Sequence, residues 1–178
     1  MKIYNKNILQ VPEDLLAAQR FAYEPSGISC KNVVREAESQ EYSACTFEIN
    51  YKVIKFRVGK IAPTKIGQFI TFWKRIGSGP IVPYDMSDAI DFFVVSVRKD
   101  EKCGQFVFPK EILWEKGYIS KEGVGGKRAI RVYPPWDTTE SDQAQRTQAW
   151  QLLYYFEIQP NPDICTILKL FWVTSHQR

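Results

Sequence analysis

Two neighbouring segments, 44–50 (ACTFEIN) and 52–58 (KVIKFRV), constrain the fold more than any other part of the chain. Each alternates apolar and polar side chains, the period-2 pattern of a half-buried strand. Asn50-Tyr51 between them has the length of a hairpin loop, although it lacks the usual glycine. On the second strand Lys52, Ile54, Phe56 and Val58 share one face, and Val53, Lys55, Arg57 and Gly59 the other, so Lys55 and Arg57 point the same way. A second strand pair follows. Residues 90–98 (IDFFVVSVR) are long and mostly apolar, 99–104 are a polar turn, and 105–108 return as another strand.

Helix signals surround these strands. Pro12 opens a helix whose first turn carries Glu13 and Asp14 and which Pro25-Ser26-Gly27 ends near Tyr23. Residues 31–42 fit either a short helix or a strand that turns into one. In KIGQFITFWKR, Ile66, Phe69, Ile70 and Trp73 follow the i, i+3, i+4, i+7 rule, which predicts an amphipathic helix over 65–75 with Thr64 as its N-cap. Pro109 starts a further helix that Gly117 stops. A Gly-rich loop, 123–126, leads into the strand KRAIRVY. Thr139, three residues before Asp142, predicts a capped helix running to about Phe156. The last stretch, 158–178, is an appended strand or short helix.

A chain of 178 residues with 44% hydrophobic and 25% charged residues suits one domain over 1–178 with an ordinary core. The charge is unevenly spread. Residues 49–84 hold no Asp or Glu but seven cations: Lys52, Lys55, Arg57, Lys60, Lys65, Lys74 and Arg75. Such a local field attracts a polyanion, and nucleic acid is the commonest one; the other reading is a basic face balanced in space by acids from elsewhere. The four cysteines form no CxxC pair and Cys45 reads as a small core residue, so neither zinc nor a disulfide framework is expected. His176, the single histidine, sits in the terminal tail, which removes Ser-His-Asp and Cys-His catalysis. No signal-length or membrane-length apolar run is present; a cytoplasmic protein with no membrane contact, no cofactor and no metal is expected.

Several weaker constellations remain. The loop GVGGKR departs from the Walker pattern, with Arg128 where Ser or Thr would hold magnesium, and reads as a phosphate-binding loop or a plain hairpin loop. Asp85, Asp88 and Asp91 recur at three-residue spacing, which a metal would use only if a bend gathered them. Asp100-Glu101-Lys102 matches the acid-x-Lys string of nucleases but falls at a turn tip. Trp73, Trp136 and Trp150, with Tyr133 and Tyr154, are core residues or stacking platforms. Trp136 follows two prolines beside the cations of KRAIR, an arrangement suited to stacking on a base.

The strings FRVGKIAPTKIGQF, FWKR, IDFFVVSVRK, GQFVFPK, GKRAIRVYPPWD and QAQRTQAWQL, in that order over about residues 30–157, resemble the MepB family. The resemblance implies an α/β (α+β) fold, a mixed β-sheet flanked by helices, similar to the PD-(D/E)XK restriction-endonuclease-like fold. Carried onto this chain, that motif's Asp falls near Thr46 and its acid-x-Lys triplet on Arg57-Val58-Gly59. Arginine and glycine there replace the metal-holding acid and the lysine. The expected function is therefore non-catalytic nucleic-acid binding through a basic cleft. Arg57, Lys60, Lys65 and Lys74 would meet phosphates, Lys127, Arg128 and Arg131 would form the opposite wall, Thr64 and Gln68 would hydrogen-bond, and Trp136 would stack. The alternatives are a metal-dependent nuclease using Glu41, Glu48 and Asp91, and a small-anion, nucleotide-binding or protein-interaction module.

Overall fold

A computed structural model describes residues 11–172; the first ten residues and the tail with His176 lie outside the described residues. The predicted hairpin is the seed of the architecture. Strands β2 (Cys45–Ile49) and β3 (Lys52–Val58) pair antiparallel, with Cys45 opposite Phe56 and Thr46 opposite Lys55. Asn50 and Tyr51 turn the chain with both φ angles positive (46° and 64°), the primed-turn geometry that glycine ordinarily supplies. Strand β1 (Lys31–Arg35) joins the outer side of β2, so the ambiguous 31–42 segment is a strand followed by a single 3₁₀ turn at Gln40–Tyr42.

The second hairpin, β8 (Phe92–Lys99) and β9 (Lys102–Pro109), also forms as expected, with Asp100 at the turn with φ +54°. β8 lies parallel to β3, and the edge strand β13 (Tyr155–Glu157) completes a mixed sheet in the order β1-β2-β3-β8-β9-β13. One face of this sheet, with Cys45, Phe47, Ile54, Phe56 and Val94, packs on Leu15, Ala18 and Tyr23 from the α1 (Glu13–Ala18) region and on Ile167 and Phe171 of α4 (Ile164–Trp172). α4 is the helical alternative foreseen for the end of the chain, and Asp163 starts it by accepting from the Thr166 amide at 3.0 Å.

The connection between β3 and β8 differs from expectation. Residues 65–75 are not a helix. They form β5 (Lys65–Thr71) and β6 (Trp73–Arg75), and β5 sits between β4 (Lys60–Ala62) and β12 (Ala129–Val132) in a separate three-stranded sheet. Thr64 is accordingly an exposed turn residue and not a helix cap. The apolar residues that match a helical stripe also match a strand: Gln68, Ile70 and Phe72 are buried while Phe69, Thr71 and Trp73 are less so. β-branched and aromatic residues favour the extended alternative, and Gly67 at φ +84° has no place in a helix. Ile70, Phe72, Ile130 and Val132 fill the second core against Phe93, Val95, Phe106 and Phe108 of the large sheet.

Two small hairpins flank this layer: β6 with β7 (Ile81–Pro83), and β10 (Ser120–Lys121) with β11 (Val124–Gly125). The helix after Pro109 is α2 (Lys110–Glu115), and Gly117 follows it with φ +77°. The helix predicted from Thr139 is α3 (Asp142–Gln151), shorter than expected and capped by Ser141, whose Oγ accepts from the Ala144 amide at 3.2 Å. Thr139 is instead buried, donating to Gln148 Oε1 at 3.1 Å. No helix among the described residues is long and apolar enough to cross a membrane.

Candidate functional site

Lys55 and Arg57 do point the same way, as the alternation requires, but the direction is inward. Arg57 is 2% exposed. Its Nη2 donates to Glu36 Oε2 at 2.7 Å and to Tyr84 Oη at 3.3 Å, and its Nη1 donates to the Phe56 carbonyl at 2.8 Å. Lys55 Nζ (2.9 Å) and the Thr46 hydroxyl (3.0 Å) both donate to Glu36 Oε1. Burial alone would raise the Glu36 carboxyl, but the two cations outweigh it and hold it below the usual glutamate value. The Tyr84 hydroxyl is pushed up to about 12, by burial first and against the pull of Arg57.

The position facing Thr46 is thus Lys55, and the carboxylate of this neighbourhood comes from Glu36, just beyond β1. Arg57 is corrected from a phosphate contact to an interior ion-pair partner, because a guanidinium with no solvent path cannot meet a strand of nucleic acid. The same neutralisation extends across the acid-free window. Lys74 is held by Asp88, Arg75 pairs with Glu38 at 2.7 Å, and Lys52 lies 3.7 Å from Asp91. Lys74 is therefore also corrected as a free phosphate contact. Sequence reading missed Glu36; two cations on one buried strand face signal that an anion must lie near, but not which one.

The acids proposed for a nuclease form no metal-holding group of three among the described residues, although Glu48 and Asp91 lie on either side of Val53. Glu48 accepts from Asn32 at 3.1 Å, Asp91 accepts from the Val53 amide at 2.8 Å, and Glu41 lies exposed in the 3₁₀ turn. No group of three or more His, Cys, Asp or Glu that could hold a metal ion is present among the described residues. Asp85 accepts from Ser87 N–H (3.0 Å), the Ser120 hydroxyl (2.7 Å) and Gly123 N–H (3.2 Å), with Ser87 the leading cause of a carboxyl well below the usual range. The Gly-rich loop includes the tip and second strand of the β10–β11 hairpin, and Gly123 N–H, a candidate phosphate donor, is turned to the protein's own carboxylate. Asp100-Glu101-Lys102 lies at the exposed β8–β9 turn.

The remaining predicted residues divide between the two ends of the small sheet. Lys127 and Arg128 are exposed at the end of β12 beside Phe72, where the Phe72 amide donates to the Arg128 carbonyl at 2.9 Å. Lys127 lies 4.7 Å over the Tyr118 ring. They do not form one wall with Arg131, which is further along β12 opposite Phe69. Arg131 stacks its guanidinium 5.8 Å over Phe69 and donates to the Gly67 carbonyl at 3.1 Å. Lys60, also paired with Phe69 in register, lies 4.6 Å over the Tyr42 ring. Lys60, Phe69 and Arg131 thus share the outward face of β4-β5-β12.

At the turn end of that sheet, Thr64, Lys65, Gln68 and Trp136 line one cavity of about 510 Å³ together with Lys99 and Asp137. The sequence had named the first four from two distant segments, and the fold brings them together. Gln68 is 2% exposed; its Nε2 donates to the Arg98 carbonyl at 3.0 Å, while its Oε1 has no partner. Trp136 Nε1 is likewise buried without a partner. Asp137, 4.0 Å from Lys99, has its carboxyl raised by burial against the opposing pull of Lys99 and the Gly67 amide.

Comparison with known proteins agrees with the six strings. The chain matches the MepB-like family over residues 36–157, which run from just after β1 to the end of β13. Among solved structures it is similar to the crystal structure of MepB, at 33% sequence identity and a TM-score of 0.71, over 80% of this chain and 94% of that one. It also bears a distant likeness to the bacterial homing endonuclease I-Ssp6803I, at 16% identity and a TM-score of 0.42, over 84% of this chain and 94% of that one, a fit that carries no functional implication. A comparison with curated proteins gave no match. The matched region holds the β2–β3 hairpin, every strand of the two core sheets except β1, and the cavity: this chain belongs to the MepB-like family.

Proposed function

We propose that the chain binds nucleic acid through the phosphate backbone, without cleaving it, at the small sheet β4-β5-β12. The observation that carries this reading is the distribution of ion pairs. Lys52, Lys55, Arg57, Lys74 and Arg75 are all engaged by carboxylates. Lys60, Lys65 and Arg131 have no carboxylate partner among the described residues, and they belong to the three strands of one small sheet. Lys60 and Arg131 are steadied on Tyr42 and Phe69, so less side-chain entropy is lost when a phosphate arrives. Among the described residues Glu41, Glu48 and Asp91 form no metal-holding group of three, which supports binding over hydrolysis.

Fluorescence anisotropy with labelled DNA and RNA oligonucleotides tests the proposal. Contacts to three phosphates predict a log–log salt slope of about −2 to −3. Lys60→Glu and Arg131→Glu should each weaken binding, while Lys102→Glu, at the exposed far turn, should not. Affinity that is flat in salt, or equal in all three variants, removes the sheet as the interface. Magnesium-dependent cleavage of the same oligonucleotides, lost in Glu48→Ala, would replace binding by hydrolysis.

A further inference from the structure

A second cleft, of about 430 Å³, lies against the buried ion pair and is lined by β3, by β6 and by the segments around Glu36 and Asp88. Two of its carboxylates serve one cation each: Asp88 holds Lys74, and Glu38 holds Arg75 at 2.7 Å. The third, Glu36, serves two, Lys55 and Arg57. Four cations therefore stand against three carboxylates. Tyr84 does not make up the difference, since its hydroxyl, pushed up to about 12, stays neutral. Lys110 and Asp85, both next to Asp88, carry opposite charges and leave the balance unchanged.

The surplus positive charge opens to the cleft at one point. Arg57 is 2% exposed, whereas Lys55 lines the cleft with 20% of its side chain exposed. Its ammonium has three donors, and among the described residues Glu36 Oε1 takes one of them, at 2.9 Å. Glu36 already accepts three hydrogen bonds, from Lys55, Thr46 and Arg57. An anion meeting Lys55 would thus balance the cluster without breaking a pair. Glu38 and Asp88 on the walls repel further negative charge, so one charge is matched and two are not.

The rest of the lining is apolar: Ala37, Ala89, Ile90 and Trp73, whose ring carries the Arg75 guanidinium 5.6 Å from its centroid. An apolar wall with a few placed charges, at this volume, suits a small molecule. A phosphodiester also has one charge, but polar sugars flank it on both sides. We propose that this cleft binds a small carboxylic acid, its carboxylate on Lys55 and its hydrocarbon body against Trp73 and Ile90. The site is separate from the proposed nucleic-acid interface and does not depend on it.

Calorimetric titration of the full chain at pH 7 with benzoate, benzamide, phenyl phosphate and dimethyl phosphate tests the charge count. Benzoate should bind, and the neutral amide, the doubly charged phosphate and the diester should each bind more weakly. Lys55→Met leaves Glu36 paired with Arg57 and should weaken benzoate about tenfold or more, with circular dichroism verifying the fold. Lys102→Glu, at the distant turn, should have no effect. Glu38→Gln, at a side chain 46% exposed, releases Arg75 and should improve phenyl phosphate relative to benzoate, a change that damage to the fold would not produce.

No benzoate binding, or benzamide binding as tightly as benzoate, overturns the proposal. So does an unchanged benzoate affinity in folded Lys55→Met, or an unchanged preference in Glu38→Gln. Dimethyl phosphate binding more tightly than benzoate would assign the cleft to a nucleic-acid strand instead.

Discussion

Glu36→Gln is the most informative single change. It preserves the size and one acceptor of the side chain but removes the charge that compensates Arg57 and Lys55. The two cations respond differently. Lys55, with 20% of its side chain exposed, can turn toward water; Arg57, at 3%, cannot. Two unit charges about 4 Å apart attract by about 4 kcal/mol at an effective dielectric of 20, and removing one partner of a buried pair costs about 3–5 kcal/mol. Glu36 keeps 15% exposure, so the lower end applies, and we expect a loss of about 3 kcal/mol at pH 7. Replacing both partners, Glu36→Leu with Arg57→Met, should cost much less than the sum of the singles, because no uncompensated charge remains.

The pH dependence has a definite sign. The folded carboxyl titrates below its ordinary value of 4.5. Its contribution is therefore complete above the unfolded value and disappears as pH falls through the folded one. Urea denaturation of wild type, both singles and the double variant, at pH 7 and at steps down to pH 3, measures all of this. A loss under about 0.5 kcal/mol for Glu36→Gln at pH 7 refutes the buried-pair argument, as does a wild-type advantage that stays constant to pH 3. In the same series, Arg57→Met should leave the slope of oligonucleotide binding against salt unchanged.

Gly67→Ala should destabilise the protein by about 2 kcal/mol or more, since Gly67 has φ +84° and an added Cβ would lie 2.8 Å from the Tyr133 ring and the Val132 carbonyl; a melt within 1 °C of wild type would contradict this. Tyr23→Phe removes the hydroxyl that donates to Gln105 Oε1 in the buried chain that continues from Gln105 Nε2 to Ser96 Oγ at 2.8 Å. Leaving that acceptor unpaired should cost about 1–3 kcal/mol in urea unfolding, and a neutral result would mean that Gln105 finds another donor.

Local signals were legible wherever one pattern admitted one answer. The β2–β3 and β8–β9 hairpins followed from alternation, and α2 from Pro109 and Gly117. The segment 65–75 misled because its apolar positions satisfy both helical and strand periods. Its partner β12 lies some sixty residues away, and no local preference reveals that pairing. Of the site, Thr64, Lys65, Gln68 and Trp136 were found as residue types suited to phosphate and base, and the fold joined them. Asp137 and Lys99 were missed, having no motif to mark them.

Charge tells the same story at longer range. Composition established that residues 49–84 carry cations and no acids. Their partners came from outside: Glu36 is 21 positions from Arg57, Asp88 is 14 from Lys74, and Glu38 is 37 from Arg75. Periodicity and turn chemistry act between near neighbours along the chain, so the amino-acid sequence alone determined the hairpins and which side chains share a strand face. Electrostatic compensation depends on distance through space. Only the packing of β1, the β6–β7 hairpin and the small sheet decided that Arg57 became part of the interior while Lys60, Lys65 and Arg131 have no carboxylate partner among the described residues.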